Sequence, residues 1–196
     1  RAGDAVNFSI GQGDTLMTPI QMAQVYAAIA NGGTMYKPQV ARAIIKSNGQ
    51  VVKEFQPEVI ATQTLSKKAT KFLHEALRAV TTEGTAAGAF SGFPVAISGK
   101  TGTAEDKGRN KDGSAKADTA WFASFAPADN PKYAVVMVVS QGGFGSSISA
   151  VGARDIYAAL YGVSGGKVDP AKEIFPNGVP TKLPKVDPKN AKLVKP

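Results

Sequence analysis

The sequence predicts an α+β chain of amphipathic helices and β-strands, two of them an antiparallel pair. Two kinds of segment predict it. Residues 18–30, 66–80 and 149–160 carry apolar side chains at helical spacing, the first two behind a capping residue. Residues 95–103, 120–126 and 133–140 are β-prone, and the last two are joined by a turn at Asp129-Asn130-Pro131. A chain of 196 residues with 43% hydrophobic content is long enough to bury one core.

Residues 1–15 are punctuated by glycine around a short apolar piece at 6–10. Gly11 and Gly13 bracket Gln12 in a turn that suits a pocket floor or a loop feeding the next helix. Thr18 and Gln21 form a capping-box pattern, with Pro19 at the first helical position. Met22, Val25, Tyr26, Ile29 and Ala30 then recur at helical spacing until Asn31-Gly32-Gly33 ends the helix. Residues 35–55 read as a hairpin about Asn48-Gly49, a type I′ turn signal, with Lys37, Arg42, Lys46 and Lys53 on a solvated face. Residues 57–64 read as a connector.

Ser66 opens a second helix with Leu65 as its hydrophobic staple and Ala69, Phe72, Leu73, Ala76, Leu77 and Val80 as its apolar stripe. His74, the only histidine, adjoins that stripe and reads as structural. Residues 81–91, rich in Gly, Ala and Thr, read as a loop. Residues 106–118 combine charge and glycine and read as a flexible loop beside a pocket; their acids lack calcium-loop spacing. Residues 133–140 are apolar almost throughout and read as a central strand covered on both faces. Residues 141–147 are a glycine-rich exit. The domain organisation that follows is a body at residues 1–162 and a Pro/Lys-rich extended tail at 163–196, pinned by Ile174 and Phe175.

The formal charge of +8 is spread along the chain, without a dense basic stripe or an aromatic ladder, which argues against specific nucleic-acid binding. It suits an anionic surface or a carboxylate-bearing ligand. The absence of cysteine excludes thiol chemistry and disulfides in this chain. No run of 18 apolar residues is present.

Chemistry concentrates in Ser98-Gly99-Lys100-Thr101-Gly102-Thr103. On a strand, Thr101 and Thr103 share one face, and Gly102 leaves space on the other. Lys100 lies on the Gly102 face, with a stem long enough to curl around an edge. Gly99-Lys100-Thr101 ends like a nucleotide-binding P-loop, but that motif needs a glycine where Pro94 stands.

Lys100-Thr101-Gly102 followed by Thr103 resembles the third active-site motif of penicillin-binding proteins and serine β-lactamases. Ser9-Ile10-Gly11-Gln12-Gly13, Thr18-Pro19-Ile20-Gln21-Met22-Ala23 and Ala28-Ile29-Ala30-Asn31-Gly32-Gly33 resemble the stretch upstream of it. Thr82-Glu83-Gly84-Thr85-Ala86 and Trp121-Phe122-Ala123-Ser124-Phe125-Ala126-Pro127 match in order and distance. The Gly-Gln-Gly form is similar to class B transpeptidases.

The resemblance implies the penicillin-binding protein/serine β-lactamase-like fold, an antiparallel sheet flanked by helices, here as the C-terminal portion of a transpeptidase domain. It implies peptidoglycan cross-linking by acyl transfer from D-alanyl-D-alanine stems, with penicillin binding. It implies that Lys100, Thr101, Gly102 and Thr103 belong to the catalytic site, with Lys100, Thr101 and Thr103 contacting substrate. The family's Ser-x-x-Lys nucleophile motif has one local match, Ser164-Gly165-Gly166-Lys167, which stands after the Lys-Thr-Gly strand against the family order. The nucleophile serine and its lysine are therefore expected on an N-terminal portion absent from this chain. The other implied partners are peptidoglycan stem peptides, β-lactam antibiotics and membrane proteins of cell-wall synthesis. No metal or organic cofactor is implied, and the implied location is membrane-anchored and extracytoplasmic. A non-catalytic, β-lactam-sensing relative of the same fold shares Lys-Thr-Gly and remains open on the residues alone.

Overall fold

The computed structural model describes residues 2–13, 15–106, 108–175, 182–183, 185–187, 189 and 192–193. Its centre is a three-stranded antiparallel sheet of order β5-β6-β7: Ser98–Ala104, Thr119–Ala126 and Tyr133–Val139. Helices cover both faces, as the apolar patterning of the strands requires.

Register assigns the faces. Phe122 and Ala126 of β6 join Val135 of β7 in one core with α4 (Ala87–Phe90) and α5 (Ser149–Leu160). Tyr157 of α5 is fully buried there, and its hydroxyl lies 3.0 Å from that of Ser124. Ala123 and Phe125 look the other way. They meet Tyr26, Met22 and Ile29 of α2 (Pro19–Ala30) and Leu77 of α3 (Lys67–Thr82). Both helices start where the sequence puts them: Thr18 completes a capping box with Gln21, and Ser66 accepts from the Ala69 N–H.

Several expectations change. Residues 2–9 form a helix, α1 (Ala2–Ser9), where glycine punctuation suggested loop; the glycines that break it, Gly11 and Gly13, come only after its end and carry φ of 76° and 96°. The connector at 57–64 contains β4 (Val59–Thr62), which pairs with β1 (Thr34–Tyr36). Residues 35–55 are thus not one hairpin. Only β2 (Ala43–Ile45) and β3 (Val51–Glu54) pair across Asn48-Gly49. That turn is not type I′, because Gly49 alone takes a left-handed φ, 87°, and its N–H bonds Lys46 O. The loop at 81–91 holds the last turn of α3 and the short α4.

β5 begins at Ser98 rather than 95: the chain bends at Pro94-Val95, and Val95 and Ile97 pack into the core ahead of the sheet. β7 is flanked by α2 and α5, as expected for an apolar strand, but it occupies an edge of the sheet among the described residues. Beyond α5, Ser164 lies on a strand of the small hairpin β8 (Val163–Ser164) and β9 (Lys167–Val168), and Gly165-Gly166 make the turn. The Ile174 N–H bonds Leu160 O, pinning one point of the tail. The last short pair is β10 (Val186–Asp187) with β11 (Lys192–Leu193), and Pro176, Pro180, Pro184, Pro188 and Pro196 lie outside the described residues.

Candidate active site

Among the described residues β5 pairs with β6 on one side only, and its other edge faces out of the sheet. In an antiparallel strand the N–H and C=O of one residue point the same way, and alternate residues share that direction. Three carbonyls at alternating positions accept from side chains. Ile97 O takes the Thr81 hydroxyl and the Arg78 guanidinium at 3.1 Å. Thr101 O takes Lys100 Nζ at 2.9 Å, and Thr103 O takes Gln12 Nε2 at 3.0 Å. Residues 97, 101 and 103 therefore direct their backbone groups off the sheet. Internal donors satisfy these carbonyls, and the N–H groups of Thr101 and Thr103 point towards any ligand laid along the edge.

The side chains match the expected alternation. Thr101 stands opposite Phe122 and Thr103 opposite Ala120 in the register. Lys100 is exposed and curls around the strand edge to Thr101 O. The Thr101 hydroxyl lies 2.7 Å from the Thr85 hydroxyl, and Thr103 Oγ1 accepts from the Gly145 N–H at 3.4 Å. Gly102 does not leave open space: a methyl group there would sit 3.2 Å from Trp121 Cβ. Gly145 lies flat over the Gly102–Trp121 pair, and any side chain on it would collide with the carbonyl oxygens of both.

Thr85, Gln12 and Gly145 are the residues whose place at the site the sequence left unassigned. The signal for Gln12 was its glycine-bracketed turn, read as a pocket floor or a loop feeding the next helix, and its side chain reaches the end of β5. Thr85 lay within a quoted motif but without a role, and Gly145 was one of several exit glycines.

His74 stands apart from this constellation. Its Nδ1 is 3.2 Å from Ala128 O and its Nε2 3.1 Å from Ile29 O, with its ring 4.7 Å from that of Phe125. It ties α3 to the end of α2 and to the β6–β7 turn. An open cleft of about 630 Å³ beside it is lined by Lys67, Thr70, Lys71, Glu75 and Asp129, and by no residue of β5. Ser164 and Lys167 face each other across the β8–β9 hairpin, both exposed, rather than opening a helix. The charged loop at 106–118 is tied by Asp106–Lys116 at 3.6 Å, and the Asp112 carboxyl is held below its ordinary range by hydrogen bonds from Ser114. Burial acts most strongly on core phenols: it pushes Tyr26 up to about 12 and Tyr157 and Tyr161 higher still.

Residues 2–158 match the penicillin binding protein transpeptidase domain family. The chain belongs to that family, on its class B, DD-transpeptidase side. Penicillin-binding protein 2A of Bacillus subtilis is 37% identical over 147 residues, 70% of this chain and 20% of the relative. Peptidoglycan D,D-transpeptidase MrdA of Haemophilus influenzae is 31% identical over 168 residues, 79% of this chain and 25% of the relative. The crystal structure of Pseudomonas aeruginosa PBP2 in complex with WCK 5153 superposes with a TM-score of 0.68 at 30% identity, covering 86% of this chain and 35% of that one. The α+β architecture, an antiparallel sheet between helices, is that of the transpeptidase fold. The chain spans a fifth to a quarter of the length of these two curated relatives.

Proposed function

We propose that this chain supplies one wall of the active site of a serine D-alanyl-D-alanine transpeptidase that cross-links peptidoglycan and binds penicillin. The nucleophile serine and its lysine belong to another segment of the polypeptide. The observation that carries the reading is the outer edge of β5, where Lys100, Thr101 and Thr103 surround outward-pointing N–H groups whose neighbouring carbonyls are already engaged.

In this reading the serine attacks the carbonyl of the penultimate D-alanine, and the terminal D-alanine leaves. An amine of a neighbouring stem then takes the acyl group. The Thr103 N–H donates to the oxyanion. The Thr101 and Thr103 hydroxyls donate to the substrate carboxylate, and the Lys100 ammonium supplies positive potential. Gly102 keeps the strand flat beneath them, against Trp121. A β-lactam occupies the same place and acylates the same serine.

β7 supports the need for a further segment. Its faces are covered, but its outer edge is paired with no strand among the described residues, and an apolar edge of this kind invites pairing. Val6, Phe8, Ile10, Leu16, Met17 and Ile20 are also exposed around α1 and the start of α2. We assign both to contact with the segment that carries the nucleophile. The enzyme works outside the cytoplasmic membrane, where its substrate is assembled, alongside membrane proteins of cell-wall synthesis. Its tether is proposed outside the described helices, none of which is long and apolar enough to cross a membrane.

The test uses the polypeptide that carries this chain. Lys100→Ala and Thr103→Val should each slow acylation by a labelled penicillin by about 10²-fold, the range for losing a transition-state contact. His74→Ala should act on stability and leave the acylation rate of the folded fraction within about twofold. Equal losses of rate in Lys100→Ala and His74→Ala proteins of unchanged stability would reverse the assignment.

A further inference from the structure

We infer that Thr85 is a positioning residue of the site, one that donates to the Thr101 hydroxyl and thereby holds and strengthens it as a donor to the substrate carboxylate. The inference rests on the transpeptidase reading above. Thr85 is exposed, so burial does not oblige its hydroxyl to find a protein partner, yet its Oγ1 lies 2.7 Å from Thr101 Oγ1.

The backbone holds it there. On one side, the Gly84 N–H bonds Ala79 O at 2.9 Å and closes the end of α3. On the other, Ala86 is fully buried, and its N–H bonds Val80 O at 2.9 Å. Gly84 permits this tight exit, since a methyl group on it would lie 2.8 Å from Val80 Cα. Thr85 is thus an exposed side chain on a fixed base, aimed at the first hydroxyl of Lys100-Thr101-Gly102-Thr103.

Proton counting gives the consequence. Each hydroxyl has one proton and accepts through its lone pairs. If Thr101 donates to Thr85, its proton is spent and it presents only lone pairs to an incoming carboxylate, which repels it. If Thr85 donates, the Thr101 proton is free for the carboxylate, and the chain Thr85 to Thr101 to carboxylate is polarised in one sense. A carboxylate selects the second order, and the Thr85 proton, donated to Thr101, then holds the hydroxyl in place and strengthens its bond to the carboxylate. The effect falls on ligands that bear a free carboxylate and not on those that lack one.

The experiment compares benzylpenicillin with its carboxylate methyl ester on the full polypeptide carrying Thr85→Val or Thr85→Ser. Valine keeps the branched shape and removes the proton; serine keeps the proton. Thr85→Val should lower the second-order acylation rate constant for the free acid by about tenfold, as for loss of support to a hydrogen bond on a charged group. The rate for the ester should stay within about twofold, and Thr85→Ser should recover most of the acid's rate. Thermal midpoints should be unchanged in both. An unchanged acid-to-ester ratio in Thr85→Val, whether both rates hold or both fall alike, would overturn the inference and leave the transpeptidase reading standing. Absence of any adduct on the unaltered polypeptide would overturn that reading and the inference with it.

Discussion

Gly99 precedes Lys100 on β5 and is buried against β6, so adding one methyl group to it probes how tightly the site strand is seated. A Cβ there would lie 2.7 Å from Phe122 Cζ, 2.8 Å from Ala123 O and 2.8 Å from Ser124 Cβ. To reach ordinary contact at about 3.4 Å, each neighbour must recede by about 0.6–0.7 Å. None of them is free to do so: Phe122 and Ser124 are fully buried, and the third atom is backbone. The strand itself must therefore lift from β6. Overpacking of this kind costs about 1–3 kcal/mol. A displacement near 0.6 Å at the neighbouring Lys100 and Thr101 should slow acylation by about tenfold, given that about 1 Å costs about 10²-fold. Gly88→Ala is the control, because a methyl group on Gly88 in α4 meets nothing within 4 Å. It should be neutral, or stabilise by about 0.5–1 kcal/mol through helix propensity. Urea unfolding of the full polypeptide reads the first quantity, and the rate of penicillin labelling reads the second. A Gly99→Ala protein as stable and as fast as Gly88→Ala would refute the account of a strand fixed by close packing.

Two further outcomes follow from contacts within the fold. Gln12→Glu replaces the amide that donates to Thr103 O with a carboxylate that repels it. Acylation relative to the unaltered protein should fall about tenfold near pH 7, in line with losing a bond that places an oxyanion donor. It should recover as pH falls and the introduced carboxylate gains a proton to donate; a pH-independent ratio would count against a role for that bond. Alkaline pH should destabilise the fold. The neutral Tyr26 phenol is favoured by burial, so its folded pKa rises from 10.0 to about 12. The associated stability is full below about pH 10, the unfolded value, and is lost as pH rises through the folded value. Burial moves Tyr157 and Tyr161 the same way. The thermal midpoint should decline above about pH 10, less steeply in Tyr26→Phe, and a midpoint flat beyond that pH would contradict the burial argument.

The sheet and its covering helices were legible because their signals are local. Thr18, Pro19 and Gln21 announce α2 within four positions, and the apolar run of β7 calls for cover on both faces. The pairing of β1 with β4 was not legible, since Met35 meets Ala61 across an intervening hairpin and no short pattern encodes that register. α4 is four residues long without a side-chain cap, too short for a period to emerge. The Lys100–Thr103 strand and its alternation were readable, as was the reach of Lys100 around the edge. Its supports were not: Thr85 and Gln12 reach it across 16 and 91 residues, and only the folded chain brings them to one strand. The space beside Gly102 was misjudged because cross-strand Trp121 fills it, and a strand read alone says nothing of its neighbour's side chain.

The most direct test of the central claim is the intact mass and peptide map of the full polypeptide after exposure to a labelled penicillin. The account predicts one covalent adduct per polypeptide, on a serine outside residues 1–196, formed more slowly when Lys100 is replaced by alanine. Absence of any adduct, or an adduct on a serine within this chain such as Ser164, would contradict it.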